Sequence, residues 1–236
     1  ASCSCVRGLV INRYSLGGAM IVQGSDNWIN GNFIGTNPAG TAAAANQNGV
    51  QMAANANTNL IGTNADGISD PAERNLISGQ NVGGVEIQNT PATGNIIAGN
   101  YIGTNAAGTA AIPNGRGIFV SGAGVSNTLI GGSTVAARNV ISGNLSSGGV
   151  FISANATGTL VRGNYIGVAA DGTTALGNQG AGIRVSPAIN SVIGGTSANL
   201  GNIIAFNQLI GITITGGTGN SVLGNSIFSN NGLGID

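Results

Sequence analysis

The sequence predicts an all-β chain that folds as a right-handed, single-stranded parallel β-helix (β-solenoid) of about seven three-stranded coils, with two alternating coil types. Three observations predict this fold. A short Gly-apolar-x-apolar motif recurs at nearly constant spacing, two further short apolar segments follow each copy, and Gly and Asn separate the segments. Together they indicate many thin layers of similar shape rather than one thick core.

The recurring motif sets the length of one coil. Six copies start 29 to 35 residues apart, and a weaker copy lies near the start of the chain. The copies begin at Gly49, Gly84, Gly117, Gly149, Gly182 and Gly211, and the weaker one at Gly18. Segments such as Ile96-Ile97 and Tyr101-Ile102 follow each copy. Strands this short cannot form an independent sheet, so each must pair with its equivalent in the next coil.

A longer period of 64 residues indicates that two coil types alternate, because Tyr101-Ile102-Gly103 returns as Tyr165-Ile166-Gly167. One type has an insertion after its third strand and the other after its second. The insertions run from Asn105 to Thr109 and from Ala170 to Thr173 in the first type, and from Ser133 to Ala137 and from Thr196 to Leu200 in the second. We expect these loops to bulge outward without breaking the strand ladders.

A helical fold is excluded because Gly and Asn recur every few residues, and each Gly costs about 1 kcal/mol inside a helix. Asn tolerates a left-handed backbone, and its amide can bond from one coil to the next. We therefore interpret the recurring amides as structural corner residues. They are Asn32, Asn100, Asn164 and Asn225 at one corner, and Asn144 and Asn207 at another, where Gln80 replaces Asn in an earlier coil.

Residues 1–236 are predicted to form a single β-helix domain that is uncapped at both ends, since no amphipathic capping helix is recognisable before Val6 or after Ile227. Open strand edges invite further pairing. The prediction is either a fragment of a longer protein or self-association of the chain, end to end into filaments or laterally.

Several segments carry a resemblance to a known class of proteins. Gly99-Asn100-Tyr101-Ile102-Gly103-Thr104, the run from Arg138 to Asn144 and the run from Asn225 to Asn230 resemble parallel β-helix repeats of the pectate-lyase-like superfamily. Within it, they are most similar to the repeat regions of large secreted, adhesin-like bacterial proteins. This resemblance implies the fold and an extracellular or cell-surface location, but no single activity, because the fold carries lyases, hydrolases, epimerases and non-catalytic stalks.

Composition excludes several partners. The seven basic residues, all Arg, balance seven acidic ones, and the chain has no His. Without a basic excess, neither nucleic acid nor an anionic membrane surface is expected as a partner. No stretch approaches the ~20 apolar residues of a membrane span. Cys3 and Cys5 stand too close for an ordinary bridge within one extended segment, which leaves incidental thiols, a disulfide to another chain or, least favoured, a metal site.

Catalytic chemistry has few candidate residues. A glycosidase needs a pair of carboxylates, and a calcium-dependent lyase needs a cluster of them. The outward column of the first sheet is predicted to contain Glu86 as its only carboxylate, and Arg184 as a base without a metal partner. That column is Met20, Gln51, Glu86, Phe119, Phe151, Arg184 and Thr213. No catalytic residue, metal or cofactor is therefore predicted.

Outward apolar columns on the other two sheets are unusual for an isolated soluble domain. The second sheet is expected to expose Trp28, Leu60, Ile96, Leu129, Leu160, Val192 and Val222, and the third sheet Phe33, Leu76, Tyr101, Val140, Tyr165, Ile203 and Ile227. Three alternatives remain open: loops cover the columns, a neighbouring chain packs on them, or their aromatic rings stack on sugars. The candidate binding or packing residues are Trp28, Phe33, Tyr101, Tyr165, Phe119, Phe151, Glu86 and Arg184.

The function predicted from the sequence is a non-catalytic extracellular structural module: a stalk, an adhesin segment or a filament protomer. The alternative is a carbohydrate-active enzyme or a carbohydrate-binding module on the same fold, with a polysaccharide as partner. Ice binding is a third hypothesis. It needs outward Thr arrays, which Thr36, Thr63 and Thr104 begin and Val168 interrupts.

Overall fold

The computed structural model describes residues 4–53, 55–88, 91–145 and 147–236, and it confirms an all-β parallel solenoid with three-stranded coils. The strand pairs between coils are parallel and join strands that are one coil apart in the sequence. The helix α1 (Asp70–Glu73) is a single turn in an insertion. Within the described ranges, no helix reaches the length and hydrophobicity of a membrane span.

Each of the three sheets runs the length of the solenoid, with strands of two to eight residues. Sheet one contains Gly18–Val22, Asn48–Met52, Gly83–Gln88, Arg116–Ser121, Val150–Thr157, Ile183–Ile189 and Ile212–Ile214, and the short strands Ala92–Thr93, Val125–Ser126 and Gly217–Thr218. Sheet two contains Cys5–Arg7, Trp28–Asn30, Leu60–Gly62, Ile96–Ala98, Leu129–Gly131, Leu160–Arg162, Val192–Gly194 and Ser221–Leu223. Sheet three contains Val10–Ile11, Phe33–Ile34, Leu76–Ile77, Tyr101–Ile102, Val140–Ile141, Tyr165–Ile166, Ile203–Ala205 and Ser226–Phe228.

The strand registers match the predicted columns except in the outermost coils. Ile21, not Met20, pairs with Gln51, because the weak first copy of the motif aligns one residue later than its Gly18 suggests. In the last coil, Ser221 pairs with Val192 and Ser226 pairs with Ile203. Val222 and Ile227 therefore turn inward, so the outward columns of sheets two and three end in serine.

The core is a stack of mostly β-branched side chains, and in a typical coil sheet one contributes two of them, such as Ile118 and Val120, while sheets two and three contribute one each. In sheet two, the inward residues from Ile29 to Ile193 are at most 1% exposed. Burying one such side chain contributes about 1.5–3 kcal/mol, so a single thin layer is stable only when it is packed against the neighbouring coils.

Buried amide ladders hold two corners on the flanks of sheet three, and at the second corner the ladder is preceded by Gln80, whose N–H donates to Asn114 Oδ1. The ladder before this sheet runs through Asn32, Asn75, Asn100, Asn139, Asn164, Asn202 and Asn225, so it also includes residues that the sequence prediction did not assign to this corner. The ladder after it runs from Asn114 through Asn144 and Asn178 to Asn207 and Asn230. These residues are corner residues, as predicted.

The third corner, before sheet two, is only partly an amide ladder. Asn59 bonds to Asn95, but the following coils place Thr128, Thr159 and Ser191 there. The hydroxyl oxygens of these three residues are buried and have no hydrogen-bond partner within the described residues. The contribution of a corner to stability therefore differs along the solenoid.

The insertions after the third strands fold over the outward column of sheet three. Each is closed by an antiparallel bridge, such as Thr104 with Ala111. The loops also stack, since the Ala170 N–H donates to the Gly108 carbonyl at 2.9 Å. Gly108 has a φ of 70°, and a Cβ there would lie 2.7 Å from the Ala170 Cβ and 2.9 Å from the Tyr101 ring. Loops thus cover this apolar column, which was one of the three alternatives.

Replacing Asn139 with alanine tests the amide ladder. The Asn139 side chain donates to the Ile97 carbonyl at 2.8 Å and to Asn164 Oδ1 at 2.9 Å, and it accepts from the Asn100 N–H at 2.9 Å. Asn139→Ala leaves buried groups unpaired, so we expect the free energy of unfolding to fall by about 3–5 kcal/mol. Urea denaturation measures it.

The matched control is Thr128→Val, which removes a buried hydroxyl that has no partner and keeps the shape of the side chain. It should be neutral or stabilising. Equal losses for the two variants would contradict the structural role of the ladder.

Acid titration tests the loop that covers Tyr165. Hydrogen bonds from the Thr174 hydroxyl, then from the Thr174 and Thr173 N–H groups, lower the pKa of Asp171 from 3.8 to about 2. Because the folded-state pKa is depressed, these bonds stabilise the loop above pH ~4, and that contribution is lost as the pH falls through about 2. Carboxyl ¹³C shifts should report this midpoint, and Thr174→Val should raise it. An ordinary midpoint in the unchanged protein would contradict the loop geometry.

Candidate functional site

The outer face of sheet one brings four of the eight predicted site residues into one column. Glu86 pairs with Phe119, Phe119 with Phe151, and Phe151 with Arg184 in consecutive coils. Neighbouring coils in such a ladder lie ~4.8 Å apart, so the four side chains span three coil steps. The expectation of one carboxylate in this column is met by Glu86.

Glu86 is fully buried beneath Arg116. The Arg116 guanidinium forms an ion pair with Glu86 Oε1, with its Nε at 2.8 Å, and Gln88 Nε2 donates to Glu86 Oε2 at 2.9 Å. A glycine at position 83 makes room for this carboxylate, since a Cβ there would lie 2.3 Å from Oε1. At this end of the column, the positive and negative charges therefore neutralise each other.

The two phenylalanines connect this ion pair to Arg184. The Phe119 and Phe151 ring centroids lie 5.2 Å apart, with a tilt of 34°. Arg116 lies over the Phe119 ring at 4.1 Å, and Arg184 over the Phe151 ring at 4.9 Å. Each ring is therefore in contact with the other ring and with one guanidinium group. The rings orient the two guanidinium groups and leave little free surface on which a sugar could stack.

Arg184 is exposed and has no acidic partner within the described residues. It lies at the edge of a shallow pocket of about 260 Å³. The other residues that line this pocket are Ser147, Ala181, Leu209, Ile210, Thr213 and Thr215. Three hydroxyl groups and several apolar side chains thus line the same pocket as one cation that has no acidic partner among the described residues.

The other four predicted residues lie on sheets two and three and are half-buried. Arg74 covers the Tyr101 ring at 4.1 Å, and Arg138 covers the Tyr165 ring at 4.2 Å and donates to its hydroxyl at 3.0 Å. Phe33 lies beneath the loop that contains Gly40, and Trp28 Nε1 donates to the Gly62 carbonyl at 2.7 Å. These four residues pack within the fold and do not join the sheet-one column.

The remaining sequence candidates do not form a site. Thr36, Thr63 and Thr104 are at most 1% exposed, so they do not form the outward Thr array that ice binding needs. The ice-binding hypothesis is therefore wrong. Cys5 is exposed and forms no disulfide within the described residues, and Cys3 lies outside them. No group of three or more His, Cys, Asp or Glu that is able to hold a metal ion occurs among the residues for which the structure gives positions.

Sequence reasoning missed Arg116 and most of the pocket residues. Arg116 pairs with Gly83, and its position three residues before Phe119 gave no indication of its partner. Ser147, Leu209 and Ile210 lie between strands, where the sequence repeat does not predict on which side of the solenoid a side chain lies. Thr213 was placed in the correct column, but its place beside Arg184 at a pocket follows only from the packing of the loops.

Comparison with known proteins gives one structural likeness to report. No family model matches the sequence, and no curated protein sequence matches it. Among solved structures, an alginate lyase from Paenibacillus sp. str. FPU-7 is similar over 96% of this chain and 79% of its own, with 17% identity and a TM-score of 0.44. At this level the likeness transfers no residue, substrate or mechanism.

The same finding corrects the function predicted from the sequence. The similar structure is an enzyme, which contradicts the interpretation of this chain as a non-catalytic structural module such as a stalk, adhesin segment or filament protomer. The sequence prediction had inferred an absence of activity from a shortage of carboxylates and His, and such a shortage is not sufficient ground for that inference. The alternative, a carbohydrate-active enzyme or a carbohydrate-binding module on the same fold, is taken up below as a proposal.

A double-mutant cycle tests the buried ion pair of the column. Arg116→Met keeps an apolar chain over Phe119 but leaves the Glu86 carboxylate buried and unpaired, so we expect a loss of about 3–5 kcal/mol in the free energy of unfolding. Adding Glu86→Gln should recover a large part of that loss. If the two substitutions were simply additive, the two side chains would not be coupled.

Proposed function

We propose that this chain is a carbohydrate-active protein that binds an acidic polysaccharide along the outer face of sheet one, with Arg184 as the anion-binding residue. The observation that carries the proposal is an exposed guanidinium that has no acidic partner in the described chain and that borders a pocket lined by hydroxyl side chains. A guanidinium binds a carboxylate through two parallel hydrogen bonds.

The two ends of the column differ in charge, and this difference gives the proposed site its position. Glu86 neutralises Arg116, whereas Arg184 keeps its charge among the described residues. An anionic sugar is therefore attracted to the Arg184 end. Contact of Arg184 with the Phe151 ring restricts the guanidinium before a ligand arrives, which reduces the entropy lost on binding.

The pocket has the chemistry of a site for one sugar ring. Ser147, Thr213 and Thr215 offer hydroxyl groups for hydrogen bonds, and Leu209, which is 55% exposed, offers an apolar surface for the C–H face of a ring. Further sugars would continue across the coils, whose ~4.8 Å spacing is close to the length of one sugar unit in an extended polymer. We propose that the acidic groups of the polymer are uronate carboxylates.

An acidic polysaccharide as partner also gives a reason for the extracellular or cell-surface location expected from the sequence. Such polymers are components of cell envelopes and matrices. The closer resemblance to adhesin-like repeats and the self-association of the chain remain predictions.

Substitution of Arg184 tests the proposal. Titration of the protein with polygalacturonate and alginate oligomers in a calorimeter should give measurable binding that weakens with added salt, and neutral dextran should bind much more weakly. Arg184→Gln should weaken uronate binding about ten- to hundredfold, because a hydrogen bond to a charged group contributes about 1.5–3 kcal/mol. Arg184→Lys should retain part of the affinity.

The charge-matched control is Arg13→Gln, which removes an exposed arginine outside the column. It should bind like the unchanged protein. Equal effects of Arg13→Gln and Arg184→Gln would indicate unspecific charge attraction and would overturn the proposed site. Ultraviolet absorbance of unsaturated products and release of reducing ends, followed in the same mixtures, determine whether the bound polymer is cleaved.

A further inference from the structure

A groove over sheet two is a second candidate site, separate from the column on sheet one. It encloses about 490 Å³. Its floor is the outward column of the sheet, at Leu60, Ile96 and Leu129, and Ile96 is 36% exposed. Aliphatic residues without an aromatic ring make a poor surface for sugars and a good one for a hydrocarbon body.

Alternation of the coil types creates this groove. The coil of Leu60 and the coil of Leu129 each continue into an insertion after the second strand, and these two insertions form the walls through Thr63 to Ala65 and through Gly132 to Thr134. The coil between them turns directly after Ala98 and leaves a gap. Ala98 pairs with Gly62 in the outward column next to the floor residues. At these two positions the side chains are too small to fill the gap.

Arg162 lies at one end of the groove, where its strand pairs with Leu129–Gly131. Its side chain forms no ion pair or hydrogen bond within the described residues, and its Nε is buried without a partner. A buried N–H that has lost water and gained no acceptor is costly. Because Nε itself is buried, a carboxylate at this end of the groove would accept hydrogen bonds from the terminal nitrogens of the guanidinium.

The opposite wall carries negative charge. The Thr63 hydroxyl lies 2.7 Å from Asp70 Oδ1 and 2.9 Å from Glu73 Oε2, behind Asn64 and Ala65. The charges at the two ends therefore orient an asymmetric ligand. An anionic head is attracted to Arg162 and repelled from the insertion that contains α1.

We propose that the sheet-two groove binds a small amphipathic monocarboxylate, with its hydrocarbon body over Ile96 and its carboxylate on Arg162. The carboxylate pairs with the Arg162 guanidinium, which has no acidic partner among the described residues, and the body covers the exposed apolar floor. This site has no residue in common with the proposed polysaccharide site, so either proposal can fail without the other.

Titration of the full chain with octanoate tests the groove. The two comparison probes are 1-octanol, which has the same body without the charge, and acetate, which has the charge without the body. Octanoate should bind at least ten times more tightly than either. The Arg162 Nε–H resonance in a ¹⁵N-correlated NMR spectrum should shift with octanoate and remain unmoved by 1-octanol.

Two substitutions separate the head from the body of the ligand. Arg162→Gln should reduce octanoate affinity to that of 1-octanol. Ile96→Glu, at a position that is 36% exposed, should abolish octanoate binding by placing a negative charge on the apolar floor. Arg13→Gln is the charge-matched control and should leave octanoate binding unchanged, and the NMR fingerprint of each variant verifies its fold.

The proposal is overturned if octanoate and 1-octanol bind equally well to the unchanged protein. It is also overturned if neither binds at millimolar concentration, or if octanoate binds without moving the Arg162 Nε–H resonance.

Discussion

In-register pairing between equivalent strands of neighbouring coils is the constraint on which the rest of this structure depends. Strands of two to eight residues acquire their partners only one coil away, so side chains of the same type lie above one another along the whole axis. Buried amides make this pairing specific. Each Asn in the ladder before sheet three, up to Asn202, bonds both to the next amide and to a backbone carbonyl, as Asn164 does with Asn202 and with the Ile130 carbonyl. A slip of one residue would turn the core outward and break these bonds.

Much of this architecture could be predicted from the sequence because repetition makes the pattern redundant. The Gly-apolar-x-apolar motif gave the coil length, and the 64-residue period gave the alternation of insertions. The prediction failed in the two outermost coils. In the first coil a weak copy of the motif allows two alignments, and only backbone pairing distinguishes Ile21 from Met20. In the last coil the strands of sheets two and three pair one residue earlier than predicted, at Ser221 and Ser226. The periodic pattern cannot predict the strand register of a coil that departs from it.

The candidate site was only partly predictable for the same reason. A column could be derived from strand alternation, which brought Glu86, Phe119, Phe151 and Arg184 together. The contacts that decide their roles are not periodic, since Arg116 neutralises Glu86 through a side chain from the next coil. Tyr101 and Tyr165 looked like exposed rings because the sequence does not reveal that insertion loops and arginines cover them. Both proposed sites therefore lie at departures from the repeat, at the guanidinium groups of Arg184 and Arg162, which have no acidic partner among the described residues.

Mapping of a bound uronate oligomer on the chain by NMR tests the central functional claim most directly. In a titration of isotope-labelled protein with an unlabelled oligogalacturonate, the account predicts amide shifts that concentrate at Ser147, Arg184, Thr213 and Thr215 and fade toward Glu86. Shifts confined to sheets two and three, or no shifts at saturating oligomer, would contradict it.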